Sequence, residues 1–263
     1  MTELRKKPLV EAILEVRWRL PQPKAGQQLP PGDPHYQLML GRFYDRIRST
    51  YPSHEALPAA QVPAGLLGQV VQHRFRTAPN AWPLIQLGSG ILTVNDTTLY
   101  TWSDFRHRAI YAVEQFFAAH PNPADLNVER ISLRYVDGIP FDSAGANLTA
   151  FLHDQLKLTV ELPDDVFTTV GLTPAPQAFQ WHASYPSTDG TRMLSAKIVQ
   201  GMKGNEPSII LDTSVDTAGI AIVPNLPEEF GSWIDAAHEL ASGWFKELTK
   251  GPLYAGFEPA EAN

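Results

Sequence analysis

Arginines offer the first chemistry in this chain. Arg17 and Arg19, Arg74 and Arg76, and Arg130 and Arg134 stand two or four residues apart in segments rich in β-forming residues. Side chains at even spacing along a strand share one face. If the three segments neighbour one another, six guanidinium groups line one sheet surface, and Trp102, with Tyr100 close by, offers a ring for stacking. Guanidinium groups are planar, always charged and able to grip an acceptor with two hydrogen bonds, so such a surface suits phosphates or acidic protein segments. Arg17, Arg19, Arg74, Arg76, Arg130, Arg134 and Trp102 are therefore the candidate binding residues. The competing expectation is that Glu11, Glu15 and Glu129 pair with the arginines across strands and neutralise the surface.

Other reactive patterns are weaker. Asp235, His238 and Glu239 stand at i, i+3 and i+4, where an acid and an imidazole become neighbours on a helix. A catalytic zinc needs three protein ligands and no second histidine follows His238 at helical spacing, so this trio is expected on a solvated face opposite a tryptophan stripe. His107, His153 beside Asp154, and His182 are isolated in sequence and expected to be surface or internally satisfied histidines. Gly88-Ser89-Gly90 joins two strands, whereas a hydrolase elbow joins strand to helix, and Gly201-Met202-Lys203-Gly204 reads as a turn without the phosphate-loop pattern. Cysteine is absent, which excludes disulfides, thiolate zinc sites and a cysteine nucleophile. No catalytic residue, metal ligand or cofactor site is assigned, and the reading leans away from an enzyme.

Periodicity defines the elements that must position these residues. Val10, Ala12, Leu14, Val16, Trp18 and Leu20 alternate with charged neighbours, as in a half-buried strand. Pro21–Pro34 is a proline-rich loop, and Tyr36 to Tyr51 carries a helical stripe that Pro52 stops. The runs 70–77, 84–87, 91–94 and 99–102 are short strands separated by turn signals, and Ser103 or Asp104 caps a helix carrying Phe105, Val113 and Phe116. The second half repeats this order: a strand from Ile131 to Phe141, a helix capped by Asn147, strands over 179–185, 193–199 and 209–215, and a last helix from about Pro227. The fold class is α+β: two β-α-β-β-β-α halves, 1–128 and 129–263, forming a largely antiparallel curved sheet with helices on one face. The halves share a grammar but little residue identity, so the internal duplication rests on element order alone.

Length and charge bound the function. The 263 residues fit one large domain or two small fused ones, and 43% hydrophobic residues suffice for a packed core. A net charge of −7 argues against a surface made wholly for polyanions. The basic N-terminus is interrupted by Glu11, Glu15, Arg17 and Arg19, unlike a signal peptide, and no apolar run is long enough to span a bilayer, so a cytoplasmic protein is expected. Residues 1–128 hold 13 basic and 10 acidic side chains, and residues 129–263 hold 8 and 18. Such an asymmetry orients a charged partner.

Three segments carry a family likeness: Lys7-Pro8-Leu9-Val10-Glu11-Ala12; Gln86-Leu87-Gly88 with Ile91-Leu92-Thr93-Val94-Asn95; and Arg130 with Leu133-Arg134-Tyr135-Val136-Asp137. In this spacing the chain resembles an uncharacterised, sporadically distributed bacterial family of about this size. The resemblance implies no established activity. The family's patchy occurrence implies accessory or mobile-element systems such as phage defence, in which such chains act beside a partner protein encoded nearby. The leading expectation is thus a non-enzymatic interaction subunit. Two alternatives stand beside it: RNA or single-stranded nucleic-acid binding through the arginine-lined face, and a small-ligand protein or hydrolase with a pocket between the halves.

Overall fold

The alternation that opens the chain does form a strand, β1 (Leu9–Trp18), with Ala12, Leu14, Val16 and Trp18 buried on one side. A computed structural model describes residues 4–21, 32–97, 99–142 and 145–259, so most of the expected Pro21–Pro34 loop lies outside the described residues. The first half continues with α1 (Tyr36–Ile47), β2 (Ser53–Ala56), α2 (Ala64–Leu67), β3 (His73–Arg76), β4 (Leu84–Gly88), β5 (Ile91–Asp96) and α3 (Trp102–Ala119). The second half contributes β6 (Val128–Pro140), α4 (Leu148–Leu156), α5 (Asp164–Thr168), β7 (Gln180–Pro186), β8 (Met193–Lys203), β9 (Glu206–Ala218), α6 (Phe230–Thr249) and α7 (Pro252–Gly256).

All nine strands join one open, curved antiparallel sheet in the order β2-β3-β4-β5-β1-β6-β9-β8-β7. The expected α+β architecture therefore holds, and the sheet runs unbroken across the sequence midpoint. The seam is the β1–β6 pairing, from Leu9 opposite Asp137 to Trp18 opposite Val128. In each half the last strand pairs with the first, β5 with β1 and β9 with β6, while β2 extends the first half at its outer edge.

The helices cover one face because each carries a single apolar stripe that only a flat apolar surface can bury. Met39, Phe43 and Ile47 of α1, Phe105, Val113 and Phe116 of α3, and Phe230, Trp233 and Ile234 of α6 pack with the inner side of β1. A second cluster lies under α4, where Leu152 and Leu156 meet Ile139, Ile198, Ile209 and Leu211. Arg106 and Asp235 tie α3 to α6 through two hydrogen bonds of 2.6 and 2.7 Å. Leu4 bridges to Pro259, and the Arg5 and Lys6 amides donate to the Glu258 and Phe257 carbonyls at 3.1 and 3.0 Å. Among the described residues no helix is long and apolar enough to cross a membrane.

One expected strand is absent. Over 99–102 the chain turns instead, with the Tyr100 amide on the Thr97 carbonyl and Leu99 91% exposed. Thr101, not Ser103 or Asp104, caps α3: its backbone is extended and its hydroxyl accepts from the Asp104 amide. The hydroxyl satisfies a donor that the first helical turn otherwise leaves unpaired, and this starts the helix at Trp102.

Candidate functional site: a cavity between the two halves

On α6 the residues His238, Ala241, Ser242 and Phe245 fall at i, i+3, i+4 and i+7, a single stripe turned toward the sheet. The two middle side chains are small, and a cavity of about 370 Å³ opens beneath them. The first half walls it with Leu9, Tyr100 and Trp102, and the second with Tyr135, Asp137 and Thr213. Leu4, Lys7 and Pro8, held by the contacts with Phe257 to Pro259, add a further wall. The cavity thus lies where the two apolar clusters meet, and most of its surface is apolar.

Its best-buried polar groups are Tyr100, Asp137, Thr213 and His238, while Lys7, Thr101, Tyr135 and Ser242 are half-buried and Ser103 is exposed at the rim. Tyr135 and Asp137 stand two apart on β6, so strand alternation turns both toward the helices. The Tyr135 hydroxyl is 3.0 Å from that of Tyr100 and 2.8 Å from Nδ1 of His238, so it links α6 to the segment before α3. The Trp102 ring stacks on His238 with centroids 3.7 Å apart and planes 11° from parallel. Burial pushes the His238 pKa down to about 4, which leaves a neutral imidazole near pH 7, and its Nε2 is buried without a hydrogen-bond partner among the described residues. Burial raises both tyrosines, which keeps their hydroxyls protonated.

Asp137 is the most unusual group. Burial lifts its pKa to about 7, against the opposing pull of the Lys203 charge, and its carboxyl makes no hydrogen bond or ion pair among the described residues. The Lys203 ammonium is held 3.0 Å from the Pro8 carbonyl, and that of Lys7 2.6 Å from the Tyr100 carbonyl. Near neutral pH this carboxyl is divided between its two protonation states.

The six arginines lie elsewhere. Strand register places Arg17, Arg74, Arg76, Arg130 and Arg134 on the helix-free side of the sheet, with Arg17 directly opposite Arg130. They gather, but each has an acid. Arg17 grips Glu15 at 2.6 and 3.0 Å, Arg134 grips Asp212 at 2.6 and 2.7 Å, and Arg130 reaches Asp216 at 2.7 Å. Arg74 and Arg76 share Glu55 at 3.6 and 3.9 Å, and Arg19 approaches Glu129 at 3.6 Å. The face is an interlocked lattice of opposite charges. Trp102, expected beside the arginines, is inside the cavity instead, because the first residue of α3 lies on the helix side of the sheet.

His238 corrects another expectation. It is 7% exposed and belongs to the cavity wall, whereas Glu239 is exposed and Asp235 is engaged by Arg106. His107, His153 and His182 are exposed, within the sequence expectation. Ser89 and Gly90 form the tight turn between β4 and β5. Asp137, Tyr135 and His238 escaped sequence reasoning as a site. Two signals for them were present: polar side chains on the inward parity of an apolar strand, and small residues between His238 and Phe245 on the buried stripe of a helix. Among the described residues no three His, Asp or Glu side chains gather as a metal site.

No family model matches the chain, and no curated protein matches it. Among solved structures it is similar to a di-domain ARO/CYC, StfQ, from the steffimycin biosynthetic pathway. That likeness covers 94% of this chain and 99% of the other at 8% identity and a TM-score of 0.21, too loose to bear on fold or function.

Proposed function

We propose that the protein binds a small, mostly apolar organic molecule in the cavity between its halves. The observation that carries this reading is the cavity itself: about 370 Å³ of space with apolar walls and a buried polar cluster, of a size and character typical of ligand sites. Open space in a protein interior forfeits packing contacts, and a buried carboxyl and an imidazole nitrogen without partners among the described residues add a desolvation cost, so an occupant would recover both. No reaction is assigned to it.

Docking of a partner protein within a bacterial accessory or phage-defence system is supported by the charge asymmetry and the family likeness, and single-strand RNA binding by the arginine face. Both have weaker support, because the guanidinium groups already hold carboxylates at short range.

The test is a thermal-shift screen with neutral, cationic and anionic aryl-alkyl compounds on the wild type and on Ala241→Leu, which fills the space under α6. At least one class is expected to raise Tm in the wild type and to lose that effect in the variant. A flat wild-type response to all three classes would overturn the reading.

A further inference from the structure

We infer that the occupant of this cavity is an organic cation, a protonated amine on an apolar body, with its ammonium on the Asp137 carboxylate and its body against the rings of Tyr100, Tyr135 and Phe245. The inference rests on the reading of the cavity as a ligand site and names the chemistry that site selects.

Asp137 stands on the cavity wall, 7% exposed, with no hydrogen bond or ion pair among the described residues. A buried carboxylate is costly unless a counter-charge or donors reach it, and the described residues supply neither at contact distance. The charged groups around it hold backbone carbonyls rather than the carboxyl, although the Lys203 charge acts on it from a distance. Lys203 from β8 is bound to the Pro8 carbonyl, and Lys7 from the segment before β1 is bound to the Tyr100 carbonyl. From α6 come the neutral His238 and the Ser242 hydroxyl, and from the remaining walls the hydroxyls of Tyr100, Thr101, Ser103, Tyr135 and Thr213, none of which donates to Asp137 among the described residues and all of which can accept from a cation. An ammonium brings the missing positive charge and three donors, and aromatic faces attract a cation further. An anionic occupant would meet the like charge of Asp137.

Calorimetric titration of the full chain with 2-phenylethylamine, its uncharged counterpart 2-phenylethanol and the anion 3-phenylpropanoate separates the possibilities. At pH 8 the amine is expected to bind at least about tenfold more tightly than the alcohol. Its affinity should fall about tenfold by pH 6, since Asp137 titrates near 7 while the amine stays protonated and only the ionised fraction of the carboxyl binds it. Asp137→Asn should bring amine and alcohol to similar affinity. Equal or tighter binding of the alcohol or the anion, a flat pH profile in the wild type, or unchanged amine affinity in Asp137→Asn overturns the cation assignment and leaves the cavity reading standing. Silence from all three probes, together with a flat screen, overturns both.

Discussion

Asp137 and His238 pull the stability of the fold in opposite directions as pH changes. The raised pKa of Asp137 means that the native state holds a proton the unfolded chain has released, so stability is lost as pH rises from about 4 toward 7. The depressed pKa of His238 means that the unfolded chain takes up a proton the native state refuses, so stability is lost as pH falls from 6.5 toward 4. Asp137→Asn is therefore expected to stabilise the protein at pH 8, by up to about 4 kcal/mol, and to change little at pH 4, as read by urea denaturation at each pH. A variant equally stable to the wild type at pH 8 would show that the carboxyl is not held out of water. Tyr135→Phe, which strips the bonds to Tyr100 and His238 and leaves Nδ1 buried and unpaired, should cost about 1 to 3 kcal/mol. Neither Asp137 nor His238 could be recognised from neighbours in sequence. His238 lies beside Asp235 and Glu239, so it passes for part of a solvated face, but its spacing to Ile234, Ala241 and Phe245 puts it on the buried stripe.

At the scale of elements, periodicity served well where one face is apolar and the other charged. β1, α1, β6 and α6 were legible for that reason, and Asn147 does cap α4, its side chain accepting from the Ala150 amide at 3.1 Å. Leu99–Trp102 failed because a short apolar run carries no period of its own, and the Thr101 cap then decided between strand and helix. β2 went unseen because Ser53-His54-Glu55-Ala56 is held in the sheet by β3 rather than by its own composition. Thr101→Ala should cost about 1 kcal/mol and loosen the Trp102 stack on His238, visible as a change in tryptophan emission. The arginine lattice is half-exposed, so Arg134→Ala should cost less than about 1 kcal/mol despite its two short hydrogen bonds. A much larger loss would mean that the lattice acts as one cooperative network.

For the whole molecule, element order suggests two halves but not how residues 1–128 and 129–263 join. The β1–β6 seam pairs segments far apart in the chain, and such a pairing leaves no local mark in sequence. Because that seam, the α3–α6 contact and the shared apolar cluster all cross the midpoint, thermal unfolding is expected as one cooperative transition. Residues 1–128 and 129–263 produced separately should lack near-ultraviolet circular dichroism. A folded, monomeric 1–128 would contradict this.

Neither half owns the cavity, so filling it acts as a keystone does in an arch. A molecule present at about one hundred times its Kd would add close to 2.7 kcal/mol to the cohesion of the entire chain rather than to one lobe. Occupancy would then decide how long the intact protein survives heat or proteases, and abundance in a cell would follow the supply of that molecule.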